Sequence, residues 1–240
     1  PLLQSSAASD VYKRQEDMAE NERRLRQLHE MMGDLGFGWD KGTARRGGVV
    51  DAIEPGMQGR IAEWRKSGLN IMMSEKSEAK PVSFLEECAV ELKDLAEYTD
   101  KLTAIFDRNG VKGTWYAHAS VGCLHVRPVL NMKQVGGAET MRAIAEEAFE
   151  LVRSFGGSHS GEHGDGIVRS EFNDRMFGPV LPDLFRQVKA MFDPQGLFNP
   201  GKITDAPKMD DRELFRFAPG YEAEDFDSVL DWAAWPGAAG

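Results

Sequence analysis

The sequence contains few of the features that mark secreted, membrane or nucleic-acid-binding proteins. Its 240 residues include two cysteines, Cys88 and Cys123, too few for a disulfide framework or an all-cysteine zinc cluster. No apolar run approaches the roughly 20 residues of a membrane span, and no secretory leader pattern opens the chain. Acidic residues outnumber basic ones, 39 to 29, which disfavours nucleic acid as a partner. We therefore expect a cytoplasmic protein with reduced thiols.

Hydrophobic residues make up 41% of the chain, enough for the core of one large domain with flanking segments. Residues 1–15 lack an apolar period and are predicted to be a non-native or disordered leader. A helix and a loop are expected at 16–47, the main domain at 48–204, and an acidic connector at 205–240. The chain opens on Pro1 rather than Met, so we expect a fragment of a longer polypeptide.

Apolar spacing predicts a fold of mixed helices and strands. Helices are predicted at about 16–34, from Pro55 to Ser67, from Leu95 to Asn109, from Met141 to Phe155 and from Leu184 to Phe192. In the second helix, Ile61 and Trp64 are predicted to point inward. The last helix is predicted to belong to the core. One strand is predicted at 81–90, and "GTWYAHAS" and "CLHVRPVLN" predict two more, joined by a turn at Val121–Gly122. This order predicts an α+β domain, an antiparallel sheet with helices packed on one face.

His118 and His125 flank the predicted turn, so their imidazoles can lie on the same side of a hairpin. Two such rings can hold one divalent metal, and Glu162 is a candidate for the third ligand. Two histidines and a carboxylate leave coordination positions open, as in catalytic sites. An ordinary hairpin with polar neighbours is the alternative.

The stretch "GGSHSGEHGDG" places glycines around Glu162 and His163, where unusual backbone angles or close approach are needed. Imidazole titrates near neutral pH, so His163 can accept a proton from a substrate hydroxyl. The alternative is that His163 only caps a turn. The remaining histidines, His29 and His159, are predicted to be surface or turn residues.

Arg65 and Arg127 are candidates for binding substrate carboxylates, because the guanidinium fork matches the two carboxylate oxygens. Arg127 lies two residues after His125, so on a strand it points to the same face. For Arg65, a solvated charge on a helix is an equal alternative.

Three ordered motifs, "YAHASVGCLHVRP", "SGEHGDG" and "FDPQGLFNPGKI", resemble a known family. They are similar to the C-terminal substrate domain of FAD-linked oxidases of the vanillyl-alcohol oxidase superfamily, over about residues 48–204. The residues of the first motif most resemble those of the large bacterial D-2-hydroxyglutarate dehydrogenase type, which continues into an iron–sulfur domain. The resemblance implies a ferredoxin-like α+β fold.

The resemblance also implies roles for particular residues. His118, His125 and Glu162 match the family's metal ligands, usually for zinc or a similar divalent ion, and His163 matches its catalytic base. Arg65 matches an arginine that binds a substrate carboxylate in the family. Asn199 lies in the segment that approaches the flavin in the family. Cys123 stands where the family often has Asn, and Arg127 stands where close relatives of the human-type enzyme have Asn, which leaves the substrate open.

The function implied is oxidation of a D-2-hydroxy acid to the 2-oxo acid, with hydride transfer to FAD. D-2-hydroxyglutarate is the leading candidate substrate. The implied partners are the substrate and, in the same polypeptide, an N-terminal FAD-binding domain and a C-terminal iron–sulfur domain. The fragment alone is expected to be inactive. The alternatives are a D-lactate or glycolate dehydrogenase of the same family, or a domain that binds metal or a partner without catalysis.

Overall fold

The computed structural model describes residues 4–5, 18–40, 42, 44–74, 76–222, 229 and 231. Most of the predicted leader (1–15) and the end of the predicted connector (205–240) lie outside the described residues. The chain forms two compact units: one is Ala7–Ile71, and the other joins Pro1–Ser6 to Met72–Gly240.

The described helices and strands are short or moderate in length. In chain order the helices are α1 (Met18–Asp34), α2 (Pro55–Lys66), α3 (Gly68–Met73), α4 (Leu95–Arg108), α5 (Gly137–Ser154), α6 (Asn173–Phe177) and α7 (Val180–Phe192). The strands are β1 (Gln4–Ser5), β2 (Phe37–Gly38), β3 (Arg45–Arg46), β4 (Lys80–Pro81), β5 (Cys88–Ala89), β6 (Gly113–His118) and β7 (Cys123–Leu130).

The Ala7–Ile71 unit contains α1, α2 and the parallel pair β2–β3. Both predicted helices are present, and Glu54 caps α2 by accepting the N–H groups of Gly56 and Met57. The predicted inward direction of Ile61 and Trp64 is wrong, since the two residues are 47% and 58% exposed. Helical spacing specifies which residues share a face, but burial of that face requires a packing partner.

The main sheet is built around the predicted hairpin, which is confirmed. Strands β6 and β7 pair antiparallel from Gly113↔Pro128 to His118↔Cys123. Strands β4 and β5 also pair antiparallel with β7, whereas β1 runs parallel to β6. The turn needs a glycine at position 122, because φ there is +68° and a Cβ would lie 1.9 Å from the Val90 carbonyl oxygen.

The prediction of one strand over 81–90 is wrong. Only the ends of this region pair with β7, as β4 and β5. Between them the chain turns, and Glu87 adopts a left-handed conformation with φ +72°. This bend turns two consecutive carboxylates, Glu86 and Glu87, into the protein, where they are 3% and 0% exposed.

The hydrophobic core covers one face of the sheet and leaves the other for polar chemistry. Helices α4 and α5 bury their apolar stripes against each other and against the sheet, through Tyr98, Leu102, Ile105, Phe106, Met141, Ile144, Ala148 and Val152. Along β7, Leu124 and Val126 belong to this core. Side chains alternate along a strand, so His125 and Arg127 point to the opposite face. The predicted α+β fold is confirmed.

Helix α7 is present as predicted, but its assignment as a core helix is wrong. Its apolar residues Val188, Met191 and Phe192 are 55%, 74% and 80% exposed. Pro182 is its buried residue, and Phe185 packs edge-on against Phe177. Among the described residues, no helix combines the length and apolar character needed to cross a bilayer.

Candidate active site

The hairpin presents two imidazoles on the sheet face away from the core. Tyr116 pairs with His125 and His118 pairs with Cys123, so the two histidines are diagonal neighbours rather than directly opposite. Their ring centroids are 5.0 Å apart and the rings are nearly perpendicular. Tyr116 stacks flat on His125 at 4.4 Å, which fixes the plane of that ring.

The glycine-rich segment after α5 brings Glu162 to these histidines. Glu162 Oε1 lies 2.9 Å from His125 Nε2 and 3.6 Å from His118 Nε2. One potential ligand atom from each of the three residues lies within 4.8 Å of the other two. The three residues that the sequence singled out as a ligand set therefore converge on one point.

His163 lies beside this set and is more accessible than its neighbours. Its Nε2 is 3.2 Å from Glu162 Oε1, and its ring centroid is 5.1 Å from that of His125. The His163 side chain is 46% exposed, whereas the His125 side chain is 2% exposed. Glu86, His125 and His163 form a second cluster of potential ligands, again within 4.8 Å of one another.

The residues present fit a divalent metal. His125 Nε2 is buried and, within the described part of the chain, has no hydrogen-bond partner. Although Glu162 Oε1 is 2.9 Å away, the two groups are not aligned for a hydrogen bond. Burial lowers the pKa of His125 below its usual value, which favours the neutral imidazole that metals bind. Two nitrogens and one carboxylate oxygen are a donor set typical of zinc.

Arg127 points to the same face as His125, as predicted, and there it contacts Glu86. Its Nε and Nη2 lie 3.0 and 2.5 Å from Glu86 Oε1, and the Tyr116 hydroxyl lies 3.3 Å from the same oxygen. Burial raises the pKa of Glu86, but the hydrogen bonds from Arg127 and Ser83 outweigh this effect and lower it. An ionised Glu86 thus lies 3.8 Å from His125 Nδ1, on the side of the ring away from Glu162.

The other two predicted site residues are Arg65 and Asn199. Arg65 is an exposed residue of α2, in the Ala7–Ile71 unit, and its substrate-binding role stays a prediction. Asn199 is exposed, has φ +46° and accepts a hydrogen bond from Lys202. Its loop is held by Asp193, which accepts the N–H groups of Leu197 and Phe198. The approach of Asn199 to a flavin stays a prediction.

Sequence reasoning missed three buried polar residues around the site. Glu86 and Glu87 lie within an apolar stretch, "FLEECAV". Two acidic residues between apolar ones were the sequence signal that could have indicated buried carboxylates. His159 was expected to be a surface or turn residue; it lies in a bend, but it is not on the surface, because it is 4% exposed and packs edge-on against Phe149. Burial of a carboxylate depends on partners distant in sequence, here Arg127 and Arg169.

Comparisons with known proteins identify the family that this chain resembles. A family model described as "FAD linked oxidases, C-terminal domain" matches residues 11–203. A D-2-hydroxyglutarate dehydrogenase of Pantoea ananatis is 36% identical over 169 residues, 67% of this chain and 16% of that protein. One of Escherichia coli is 37% identical over 155 residues, 62% of this chain and 15% of that protein. A D-lactate dehydrogenase of Archaeoglobus fulgidus is 30% identical over 132 residues, 55% of this chain and 29% of that protein.

Proposed function

Because the chain belongs to the FAD linked oxidases, C-terminal domain family, we propose that it is the substrate- and metal-binding part of a flavin-dependent 2-hydroxy acid dehydrogenase. The observation that carries the proposal is the convergence on Glu162 Oε1 of three imidazole nitrogens, from His125, His163 and His118, at 2.9, 3.2 and 3.6 Å. The chain spans about one sixth of the length of the D-2-hydroxyglutarate dehydrogenases it matches. We further propose that the same polypeptide carries an FAD-binding domain before this part and an iron–sulfur domain after it.

In the proposed reaction, the residues of this chain bind the substrate and move its hydroxyl proton. His118, His125 and Glu162 would hold a zinc-like ion, which supplies Lewis acidity to the hydroxyl group of a bound 2-hydroxy acid. His163, next to Glu162 and half exposed, takes the hydroxyl proton. FAD, when bound, supplies the acceptor for the hydride from the substrate carbon. By the family resemblance, Arg65 and Arg127 would each bind a substrate carboxylate, and Asn199 would belong to the segment that approaches the flavin.

The test is flavin bleaching in the complete polypeptide. His163→Ala should abolish bleaching by D-2-hydroxyglutarate while the metal content stays unchanged. His29→Ala is the matched control, because His29 is an exposed histidine of the Ala7–Ile71 unit paired with Asp51. Normal bleaching in the His163 variant would refute its assignment as the base.

A second substrate class, a monocarboxylate such as D-lactate or glycolate, is favoured by one observation. Both described hydrogen bonds of the Arg127 side chain go to Glu86, so a carboxylate of the protein already neutralises this arginine. A paired Glu86→Gln, Arg127→Met variant removes both charges together and leaves neither uncompensated. Selective loss of activity toward D-2-hydroxyglutarate would support the dicarboxylate, whereas nearly unchanged activity toward D-lactate or glycolate, with no selective loss, would support the monocarboxylate.

A further inference from the structure

Glu87 occupies an unusual position behind the candidate site. It is fully buried, and its backbone is left-handed, a conformation that costs energy for a residue other than glycine. The Glu87 N–H donates to the Leu124 carbonyl at 2.8 Å, and its own carbonyl accepts the Gly161 N–H at 2.9 Å. The backbone of Glu87 thus connects strand β7 to the glycine-rich segment.

The carboxylate of Glu87 accepts the backbone N–H groups of the two residues assigned to the chemistry. Its Oε2 accepts the Glu162 N–H at 2.5 Å and also accepts the His163 N–H. Its Oε1 accepts a hydrogen bond from Arg169 Nη2 at 2.6 Å. A buried carboxylate is costly unless it is paired and hydrogen-bonded, and these three donors meet that requirement.

Arg169 extends this arrangement along the loop. It donates to the Glu86 carbonyl at 2.7 Å and to the Gly164 carbonyl. Only 11% of its side chain is exposed. The guanidinium therefore links the bend that carries Glu86 and Glu87 to the loop that carries Glu162 and His163.

The loop needs such support, because it has little regular structure of its own. Ser158 forms an isolated bridge with Ala89, and residues 159–169 belong to no helix or strand. Gly164 and Gly166 have positive φ, and glycines lose more conformational entropy on ordering than other residues. Contacts with a distant part of the chain must offset this cost.

We infer that Glu87, together with Arg169, is a positioning element that holds Glu162 and His163 at the distances from His118 and His125 that metal binding requires. The inference rests on the proposed function and adds to it residues that bind neither metal nor substrate. Glu87 acts through the peptide groups of Glu162 and His163, since its Oε1 lies 3.7 Å from His163 Nδ1, too far for a hydrogen bond.

The experiment is a titration of the full 240-residue chain with Co²⁺, whose visible absorption reports ligand number and geometry without a flavin. Glu87→Gln should weaken Co²⁺ binding by about 10- to 100-fold, the usual effect of losing a group that supports metal ligands, and should change the spectrum. Arg169→Lys keeps the charge but not the planar fork, and should weaken binding in the same direction. It also provides the test should Glu87→Gln fail to fold.

Glu171→Gln is the matched control. Glu171 is another little-exposed carboxylate that accepts an arginine, Arg142, at 2.5 Å and a backbone N–H, that of Met209, at 2.7 Å. It should lower thermal stability but leave the Co²⁺ affinity and spectrum unchanged. Loss of the spectrum in the control as well would reduce Glu87 to a general structural role and overturn the inference.

A variant of a metal ligand distinguishes failure of the metal site from failure of the positioning role of Glu87 and Arg169. His118→Ala should abolish Co²⁺ binding. If it does, while Glu87→Gln and Arg169→Lys bind like the unsubstituted chain, the inference is overturned and the metal site stands. If the unsubstituted chain binds no Co²⁺, the metal site is overturned and the inference falls with it.

Discussion

The hairpin and the glycine-rich loop bring side chains to the same point by different physical means. His118 and His125 are placed by a continuous ladder of six residue pairs, in which alternation decides the face of each side chain. Glu162 and His163 lie in a loop held by Glu87, 75 residues away in sequence. Local backbone pairing suffices for the first pair, whereas the second depends on a long-range contact with a buried charge.

The two regions also differ in solvent exposure, which matches their proposed tasks. His125 is buried under Tyr116, and a rigid neutral ring suits a metal ligand. His163 has 46% of its side chain exposed, so a substrate can reach it. A group that exchanges a proton with a substrate must be accessible, while a ligand must be fixed.

The largest effect is expected from removing one ligand in each region. His125→Ala and Glu162→Ala should both reduce bound zinc to near zero, measured as metal per chain after dialysis. When unfolding is measured on the metal-free chains, only His125→Ala should lower the free energy of unfolding, by about 1 to 3 kcal/mol, because it removes a buried ring. Glu162 is 42% exposed, so its loss should change stability by less than about 0.5 kcal/mol. Full zinc retention in either variant would contradict the shared site.

The next effect, on stability rather than on metal content, is expected from the glycines that shape the two regions. Gly122→Ala should lower the free energy of unfolding in urea by more than about 3 kcal/mol, because the added methyl would meet the Val90 carbonyl at 1.9 Å. Gly164→Ala should cost about 1 to 2 kcal/mol, because its φ of +79° is strained but no atom lies within 4 Å of the added Cβ. Equal losses would mean that the hairpin turn is no more constrained than the loop.

The smallest effect concerns pH and the buried His159 of the loop. Burial lowers the pKa of His159 below its usual value, although nearby Asp165 opposes the shift. The folded chain then binds fewer protons than the unfolded chain near pH 6. The free energy of unfolding should therefore be highest above about pH 6.5 and fall as the pH decreases toward the folded-state pKa.

His159→Phe should reduce this loss between pH 7.5 and pH 5.5, measured by urea denaturation of the metal-free chain. Part of the loss should remain, because burial also lowers the pKa of His125. An identical pH dependence in the variant and the unsubstituted chain would show that His159 does not contribute.

Much of the hairpin and of the two core helices is predictable from sequence, because each follows a local rule. The spacing of residues such as Tyr98, Leu102 and Ile105 predicts both a helix and its buried face. The same rule fails for α7, whose apolar residues share a face that no described element covers. It also fails for the bend at Glu86 and Glu87, because the burial of their carboxylates depends on Arg127 and Arg169.

By itself, the sequence determined the strand pair and the turn at Gly122, and with them the common face of His118 and His125. These features depend on alternation and on backbone angles within a few residues. Only the tertiary structure decided that Glu162 lies 2.9 Å from His125 and that Glu87 supports it. These contacts join residues 37 and 75 positions apart and form only when the core has folded, so no local pattern predicts them.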